Sequence, residues 1–263
     1  MLRAIIDFLL PAECVVCKGL GASLCADCVE ALPWLSGPVC DRCGAPMDTE
    51  TCAPEGPLAL GVTRCETCAG RRIPFRRARA ALAYRGAARE VVHALKYAGV
   101  REVADPIAAK ALTQWPRERA PVPCDFFDVD QVTFVPLAPA RERDRGYNQA
   151  EVLGLALAAR TGVPARPWLA QDRPTEDQVG LDASGRRANV AAAYRLRAGL
   201  PEPGRRILLV DDVYTTGATA ETCARLLRRA GWPEVRVWTL ARVVRGVVGG
   251  VWSGPAGART EHE

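Results

Sequence analysis

Hydrophobic and polar residues alternate with two different periods from about residue 79 onward. Short apolar runs predict strands at four places: 77–84, 131–139, 205–212 and 234–244. Segments with a helical repeat and start or stop signals predict helices at four places: 86–99, 103–115, 150–162 and 219–231. Strands that alternate with helices across short connections are typical of a parallel sheet flanked by helices, so we expect an α/β fold here.

The first 70 residues or so have a different character. They are rich in Cys, Gly and Pro and lack a sustained apolar period, so this region buries little core and needs cross-links. The apolar stretch that opens the chain is interrupted by Asp7, ended by Pro11, and too short to span a bilayer. We expect it to form an amphipathic helix packed on its own domain, with a weak membrane-surface anchor as the alternative.

Eight of the 11 cysteines form four CxxC pairs: Cys14/Cys17, Cys25/Cys28, Cys40/Cys43 and Cys65/Cys68. The chain shows no secretory signal, so we expect a reducing, cytoplasmic location, where paired cysteines usually bind metal. Two CxxC turns supply the four ligands of a tetrahedral zinc site. Sequential pairing predicts two closed, structural Zn²⁺ sites; interleaved pairing and redox-active CxxC motifs are the alternatives. The remaining three read as small apolar residues or spare thiols: Cys52, Cys124 and Cys223.

Composition changes this picture only slightly. With 263 residues, of which 49% are hydrophobic and 25% charged, the chain has the profile of an ordinary soluble globular protein. Its formal net charge of +5 permits contact with phosphates or nucleic acid without requiring either. We interpret the basic stretch 71–79 as a linker with a solvated face, or alternatively as a nucleic-acid contact. The predicted organisation is a cysteine-rich region at 1–72, an α/β domain at 78–245 and a disordered tail at 246–263.

The segment ILLVDDVYTTGAT, residues 207–219, combines a buried strand with a polar loop. We expect the strand to end at Val210, and in parallel sheets ligands bind beyond the carboxyl ends of the strands. Asp211 and Asp212 would both turn toward one ligand there, since paired carboxylates suit vicinal hydroxyls and a developing positive charge. The loop that follows opens a helix, so its backbone N–H groups and hydroxyls form an anion cradle. Together they fit a sugar that carries hydroxyls and a phosphate.

The same segment resembles the 5-phosphoribosyl-1-pyrophosphate (PRPP) motif of the type I phosphoribosyltransferases. The whole chain further resembles the ComF family, competence-associated proteins that join a double zinc ribbon to a phosphoribosyltransferase-like domain. The matching stretches are the cysteine pairs, HALKYAG (93–99), VPLAPARERDRGYNQAE (135–151), TEDQVGLDASGRRANVAAAY (175–194) and the PRPP motif. The resemblance covers nearly everything from Cys14 to about Val244.

The resemblance implies a role for each matching stretch. Asp211 and Asp212 would be the catalytic pair, which contacts the ribose hydroxyls and stabilises an oxocarbenium-like transition state. Five loop residues would hold the 5-phosphate: Thr215, Thr216, Gly217, Ala218 and Thr219. Three arginines and a lysine would serve the pyrophosphate side: Arg141, Arg143, Arg145 and Lys96. Mg²⁺ would bind mainly through PRPP, and the stretch 173–189 would form a lid that excludes water.

Three functions of different classes stay open at this point, of which one is an accessory protein that docks on a membrane or helicase machine through its N-terminal helix and zinc ribbons. The other two concern PRPP. The first is a phosphoribosyltransferase that transfers the phosphoribosyl group to an unknown acceptor and releases pyrophosphate, in DNA uptake or nucleotide handling. The second is a non-catalytic accessory protein that binds PRPP or a nucleotide and contacts single-stranded DNA or uptake proteins, since zinc ribbons often contact such partners. Self-association into a homo-oligomer is compatible with both.

Overall fold

A sheet of four parallel strands is the centre of the computed structural model, which describes residues 11–47, 64–114, 126–172 and 193–244. Six strands lie in these ranges: β1 (Arg77–Ala83), β2 (Gln131–Phe134), β3 (Leu169–Gln171), β4 (Tyr194–Leu196), β5 (Arg206–Tyr214) and β6 (Glu234–Arg242). The order across the main sheet is β1-β6-β5-β2, and every neighbouring pair is parallel. The two longest strands are therefore central, with β1 and β2 at the edges.

Helices connect and cover these strands. They are α1 (Ala26–Ala31), α2 (Ala87–Tyr97), α3 (Ala104–Gln114), α4 (Pro139–Arg145), α5 (Gln149–Thr161) and α6 (Ala218–Arg229). The apolar residues of β5 and β6 other than Val213 are buried under them, as is typical of parallel strands that are covered on both faces. The prediction of a parallel α/β sheet preceded by a cysteine-rich region is confirmed.

The central strand β5 differs from its prediction at one point that matters for the site. It does not end at Val210 but continues to Tyr214, because β6 runs beside it as far as Arg242 and keeps supplying ladder partners. The edge strand β2 stops earlier, opposite Val210. The expectation that the buried strand ends at Val210, with Asp211 and Asp212 at its terminus, is therefore wrong: both lie within the strand, on the part that only one neighbour pairs.

Three other elements differ from the expectation. The strand predicted at 131–139 ends at Phe134, since Pro136 cannot donate to a ladder. The charged stretch after it forms α4, with Pro139 in the first turn, where its missing N–H is tolerated. The antiparallel pair of β3 and β4 was not predicted, because three-residue strands carry too few positions for a period.

The cysteine-rich region covers the open edge of β1. The Leu35 N–H donates to the carbonyl of Ala81, and the Ala83 N–H donates to the carbonyl of Pro33, both at 2.8 Å. Further along the same edge, the Ala78 N–H donates to the carbonyl of Arg42 at 2.7 Å. An unpaired strand edge is a template for aggregation, so these contacts both anchor the region and protect the sheet.

Several sequence predictions lie outside the described residues. They concern the apolar opening segment at 1–10, the lid at 173–189 and the tail at 246–263, together with Cys52 and Cys124. Cys223 is described and is fully buried in α6 among apolar residues, in agreement with its interpretation as a small core residue. Of the helices in the described ranges, none has the length and apolar character needed to cross a membrane.

Candidate functional site

Asp212 is the most firmly held carboxylate near the end of the central strand. Its side chain is buried, and its Oδ2 accepts a hydrogen bond from Gln149 Nε2 at 2.9 Å. The same oxygen lies 2.9 Å from Lys96 Nζ. Burial by itself lowers the pKa of Lys96, but the attraction of Asp212 and Asp211 outweighs burial and raises the pKa above its usual range. Lys96 is therefore a firm cation, and it forms an ion pair with Asp212.

Asp211 has a different environment, because successive strand residues point to opposite faces of a sheet. Its Oδ1 accepts a hydrogen bond from the backbone N–H of Asp212 at 2.9 Å, just beyond the last pairing of β2 with β5. Burial, followed by repulsion from Asp212, raises the pKa of Asp211 to about 8, although Lys96 and this hydrogen bond act against the rise. On this face, burial and the nearby Asp211 carboxylate raise the pKa of Cys223 in α6. The folded protein thus disfavours the charge of Asp211, whereas Asp212 lies in an ion pair with Lys96.

The loop after β5 turns sharply into α6. Gly217 is the residue before the helix, with φ at 82°, in the left-handed region that favours glycine. A Cβ at this position would lie 2.2 Å from Tyr214 Oη, so the loop is packed directly on that ring. Thr215 and Thr216 are exposed, and α6 opens with Ala218 and Thr219. The five residues predicted to hold a phosphate therefore form an exposed turn and the positive end of a helix.

The three predicted arginines lie on α4, which has no buried residue. Arg141 and Arg143 are exposed, whereas Arg145 is partly buried and donates from Nη1 to Gln149 Oε1 at 2.5 Å. Arg145 also lies over the ring of Tyr97, 5.3 Å from its centroid. Gln149 thereby connects Arg145 to Asp212. The structure brings Arg145, Lys96 and Asp212 together and leaves Arg141 and Arg143 free of contact with them.

The sequence interpretation missed Gln149, which bridges two predicted site residues. Its position follows from Asn148, whose Oδ1 accepts from the Ala150 N–H at 2.9 Å and starts α5. The Asn148 amide also donates to the carbonyl of Val135, which fixes the turn between α4 and α5. The sequence signal that could have found Gln149 was this cap residue, because an N-cap places the next side chain in the first turn of the helix. It does not reveal a partner 63 residues away.

The aromatic residue at the end of β5, Tyr214, was also missed. Burial, and then the nearness of Cys43, raise the pKa of its phenol, while Arg242 acts in the opposite direction. The Arg242 guanidinium lies 4.6 Å from the centroid of the Tyr214 ring. Because Tyr214 is the residue directly before the loop, its packing connects the candidate site to the second group of cysteines.

The eight paired cysteines form two groups, which we call the first cluster and the second cluster. The first consists of Cys14, Cys17, Cys25 and Cys28, and the second of Cys40, Cys43, Cys65 and Cys68. The four sulfur atoms of each cluster lie within 4.8 Å of one another. The Cys17–Cys25 and Cys43–Cys65 sulfur separations are both 3.7 Å, close to the edge of about 3.8 Å that a tetrahedron with Zn–S bonds of about 2.3 Å requires.

These distances decide between the pairings considered for the metal sites. The sequential pairing is confirmed, and the interleaved pairing is wrong. Four thiolate ligands complete a tetrahedron, so each cluster fits a closed, structural zinc site without an open position for a substrate. In the second cluster, hydrogen bonds from Cys43 and from nearby backbone N–H groups lower the pKa of Cys40, whereas the hydrogen bond with Cys40 and burial raise the pKa of Cys43.

Similar folds occur among solved phosphoribosyl enzymes. Glutamine PRPP amidotransferase from B. subtilis, solved with ADP and GMP, aligns with a TM-score of 0.35 and 21% identity over 56% of this chain and 30% of its own. Adenine phosphoribosyltransferase from Thermoanaerobacter pseudethanolicus aligns with a TM-score of 0.32 and 18% identity over 56% of this chain and 83% of its own.

Sequence relatives are more informative. The family model of the double zinc ribbon domain matches residues 5–69. Competence protein F of Haemophilus influenzae is 42% identical over 110 residues, which span 41% of this chain and 48% of that protein. DNA utilization protein YhgH of Salmonella typhi is 31% identical over 247 residues, which span 89% of this chain and 99% of that protein. Because this relative is matched over nearly its whole length, the chain belongs to the family of these competence and DNA utilization proteins, the ComF family.

Proposed function

We propose that the protein binds PRPP together with Mg²⁺ and transfers the phosphoribosyl group to an acceptor with release of pyrophosphate. The observation that carries this proposal is the continuity of the site. Two adjacent carboxylates, one of them paired with Lys96, lead directly into a turn with two exposed threonines at the end of a central parallel strand. PRPP offers ribose hydroxyls for the carboxylates and a 5-phosphate for the turn.

The phosphate end is the simpler half of the proposal. The hydroxyls of Thr215 and Thr216 are exposed, and the first N–H groups of α6 lack helical acceptors. A helix N-terminus favours a dianionic phosphate by charge and by geometry. We propose that Gly217, Ala218 and Thr219 contribute backbone N–H groups at this position.

The ribose end supplies the chemistry. In the transfer, the bond between the anomeric carbon and pyrophosphate breaks, and a bond from that carbon to the acceptor nucleophile forms. The positive charge that develops on the ribose ring would be stabilised by Asp212, which Lys96 and Gln149 hold in place. Asp211 would contribute a second negative charge once it loses its proton to solvent.

The pyrophosphate end carries the largest negative charge of the ligand. Arg145 is close enough to Gln149 and Asp212 to lie beside it, and Arg141 and Arg143 are exposed on the same short helix. Mg²⁺ that arrives with PRPP would neutralise pyrophosphate and help it leave. The proposal further assigns the stretch 173–189 as a lid, and the cytoplasm as the compartment.

A non-catalytic function is the second candidate, and the names of the relatives favour it. Competence protein F and the DNA utilization proteins are named for the handling of DNA. In this alternative, PRPP or a nucleotide is a regulatory ligand, and the protein contacts single-stranded DNA or uptake proteins. The exposed arginines of α4 would then be available to nucleic-acid phosphates.

Pyrophosphate release separates the two candidates. The two-zinc protein is mixed with Mg²⁺, PRPP and a panel of purines, pyrimidines and single-stranded DNA ends. We expect release with one class of acceptor, and a loss of about 100-fold or more in Asp212→Asn, since charge-assisted contacts contribute about 1.5–3 kcal/mol each. Asp105→Asn is the matched control, because Asp105 forms an exposed ion pair with Arg160. PRPP binding without release by any acceptor would favour the regulatory candidate.

A further inference from the structure

We call the loop at 215–219 the phosphate loop. The second cluster is joined to it by a short series of contacts that starts at Arg242. This arginine ends β6 and is buried, and its Nη1 donates to the carbonyl of Cys43 at 2.6 Å. Its guanidinium also lies against the Tyr214 ring. The backbones are joined as well, since the Val243 N–H donates to the carbonyl of Tyr214 at 3.0 Å. Cysteine ligand, arginine and tyrosine therefore form one packed unit.

Tyr214 passes this contact on to the loop. Its phenol lies so close to Gly217 that no side chain fits between them. The position of the glycine, and with it the start of α6, is therefore defined by where the ring lies. The ring is in turn held by Arg242, which is bound to the second cluster.

A second connection reaches α6 from the other side of the cluster. Arg71 follows Cys68 by three residues, and its N–H donates to the Cys68 carbonyl at 3.3 Å. Its Nη2 lies 2.9 Å and 3.2 Å from the two carboxylate oxygens of Glu221, in the first turn of α6. Glu221 is buried and would repel a phosphate at this helix end, so Arg71 both fixes the helix and neutralises that charge.

The first cluster has a comparable ion pair that leads elsewhere. Lys110 Nζ lies 2.7 Å and 2.5 Å from the two carboxylate oxygens of Glu30, which joins α3 to the helix α1 that carries Cys28. Neither α1 nor α3 contributes a residue to the loop at 215–219. The two clusters thus offer a matched pair of ion pairs, of which only one touches the candidate site.

We propose that Arg71, Tyr214 and Arg242 are positioning residues, which brace the phosphate loop against the second cluster. Through these three residues, the chain segment that the second cluster orders sets the affinity of the phosphate loop for a phosphorylated ligand. The inference rests on the proposed function for the identity of the ligand. It concerns residues that the proposed function does not place in contact with PRPP, and two of them, Arg71 and Arg242, lie outside the PRPP motif.

Arg71→Gln is the variant that tests the brace, because it leaves all eight cysteines and the loop itself unchanged. Lys110→Gln is its control, and Arg71→Lys restores the charge. Zinc content and circular dichroism are measured first and should show two zinc ions per chain in each protein. Affinity for PRPP with Mg²⁺ is then measured by calorimetry. We expect about a 3–10-fold loss in Arg71→Gln, recovery to within about twofold in Arg71→Lys, and no change in Lys110→Gln.

Hydrogen exchange of backbone amides, measured without ligand, tests the positioning role of Arg71 independently of the proposed function. We expect faster exchange over 213–221 in Arg71→Gln than in Lys110→Gln, because a loop that has lost its brace opens more often. Equal exchange and equal affinity in these two variants would overturn the brace. If the two variants differ in exchange but the wild-type protein binds no PRPP, the proposed function is contradicted while the positioning role of Arg71 is supported.

Discussion

The two cysteine clusters share a ligand set and a spacing motif but are embedded differently. In the first cluster Cys17 is exposed and Cys25 is partly exposed, whereas in the second only Cys65 is partly exposed. The carbonyls of the second cluster accept hydrogen bonds from two buried arginines of the sheet. Arg79 donates to the carbonyl of Cys40, and Arg242 donates to the carbonyl of Cys43.

This difference shows that an identical motif can serve two structural purposes. The first cluster orders a small unit attached to the edge of β1 and to α3. The second cluster is attached to the first residues of β1, through Arg42 and Arg79, and to the last residue of β6, through Arg242, which lies against Tyr214 directly before the loop at 215–219. Loss of metal should therefore be a local event in the first cluster, and should reach the sheet and the site in the second.

Removing one ligand from each cluster gives the largest expected effect. Cys40→Ser should lower the zinc content below two and lower the unfolding midpoint by more than about 10 °C, because structural zinc contributes about 10–16 kcal/mol in small domains. Cys17→Ser should lower the zinc content similarly but shift the main transition by less than about 3 °C. Metal analysis and thermal unfolding followed by tryptophan fluorescence measure both. Equal shifts of the main unfolding transition in Cys40→Ser and Cys17→Ser would contradict the claim that only the second cluster is coupled to the sheet.

Two glycines test the same distinction without touching the metal. Gly44 has a φ of 71°, and a Cβ there would lie 2.4 Å from the carbonyl oxygen of Ala78 in β1. Gly44→Ala should therefore cost about 2–4 kcal/mol, from overpacking and left-handed strain together. Gly21 lies between the two cysteine pairs of the first cluster and has a φ of 115°. A Cβ there would meet no atom within 4 Å, so Gly21→Ala should cost only about 1–2 kcal/mol of strain. Urea unfolding measures the two values, and a larger cost at Gly21 would contradict the embedding described.

Much of the fold could be predicted from the sequence because its strongest signals are local. The apolar runs of β5 and β6 and the period of α5 and α6 predicted their elements to within a few residues. The CxxC spacing predicted two closed clusters, and the sulfur distances confirm them. Each of these predictions depends on residues close together in the chain.

The rest depended on contacts that no local pattern contains. The end of β5 is set by its two neighbours. β2 pairs with it only as far as Val210, whereas β6 pairs with it as far as Tyr214, so the two aspartates lie inside the strand. Gln149 and Arg242 acquire their importance only from distant partners, Asp212 and Cys43. The attachment of the second cluster to the sheet was missed for the same reason, since the motif describes the metal and not what surrounds it.

The Asp211 carboxylate should show a smaller effect, which depends on pH. Asp211 has a pKa raised by burial, so the folded state disfavours its charge and wild-type stability falls as the pH rises from about 4 through about 8. Asp211→Asn removes this cost, and its Asn oxygen can still accept from the Asp212 N–H. We expect a gain of about 1–2 kcal/mol at pH 9, after a discount for partial exposure, and almost none at pH 4.

Thermal unfolding across this pH range is the measurement, with Asp105→Asn as the exposed control. We expect the unfolding midpoint of Asp211→Asn to rise by about 2–8 °C at pH 9 and its PRPP binding to weaken, because the Asp211 charge destabilises the fold but contributes to the proposed site. A variant that is equally stable or less stable than wild type at every pH would show that burial of this carboxylate carries no such cost.

Calorimetry with PRPP and Mg²⁺ tests the central claim most directly. The claim is that Asp211, Asp212 and the turn at 215–219 form one site for a phosphoribosyl group. We expect saturable binding of about one PRPP per chain, and a loss of at least about 100-fold in the Asp211→Asn/Asp212→Asn variant, with both zinc ions retained. Absence of binding to the two-zinc wild-type protein, or equal binding by the double variant, would contradict it.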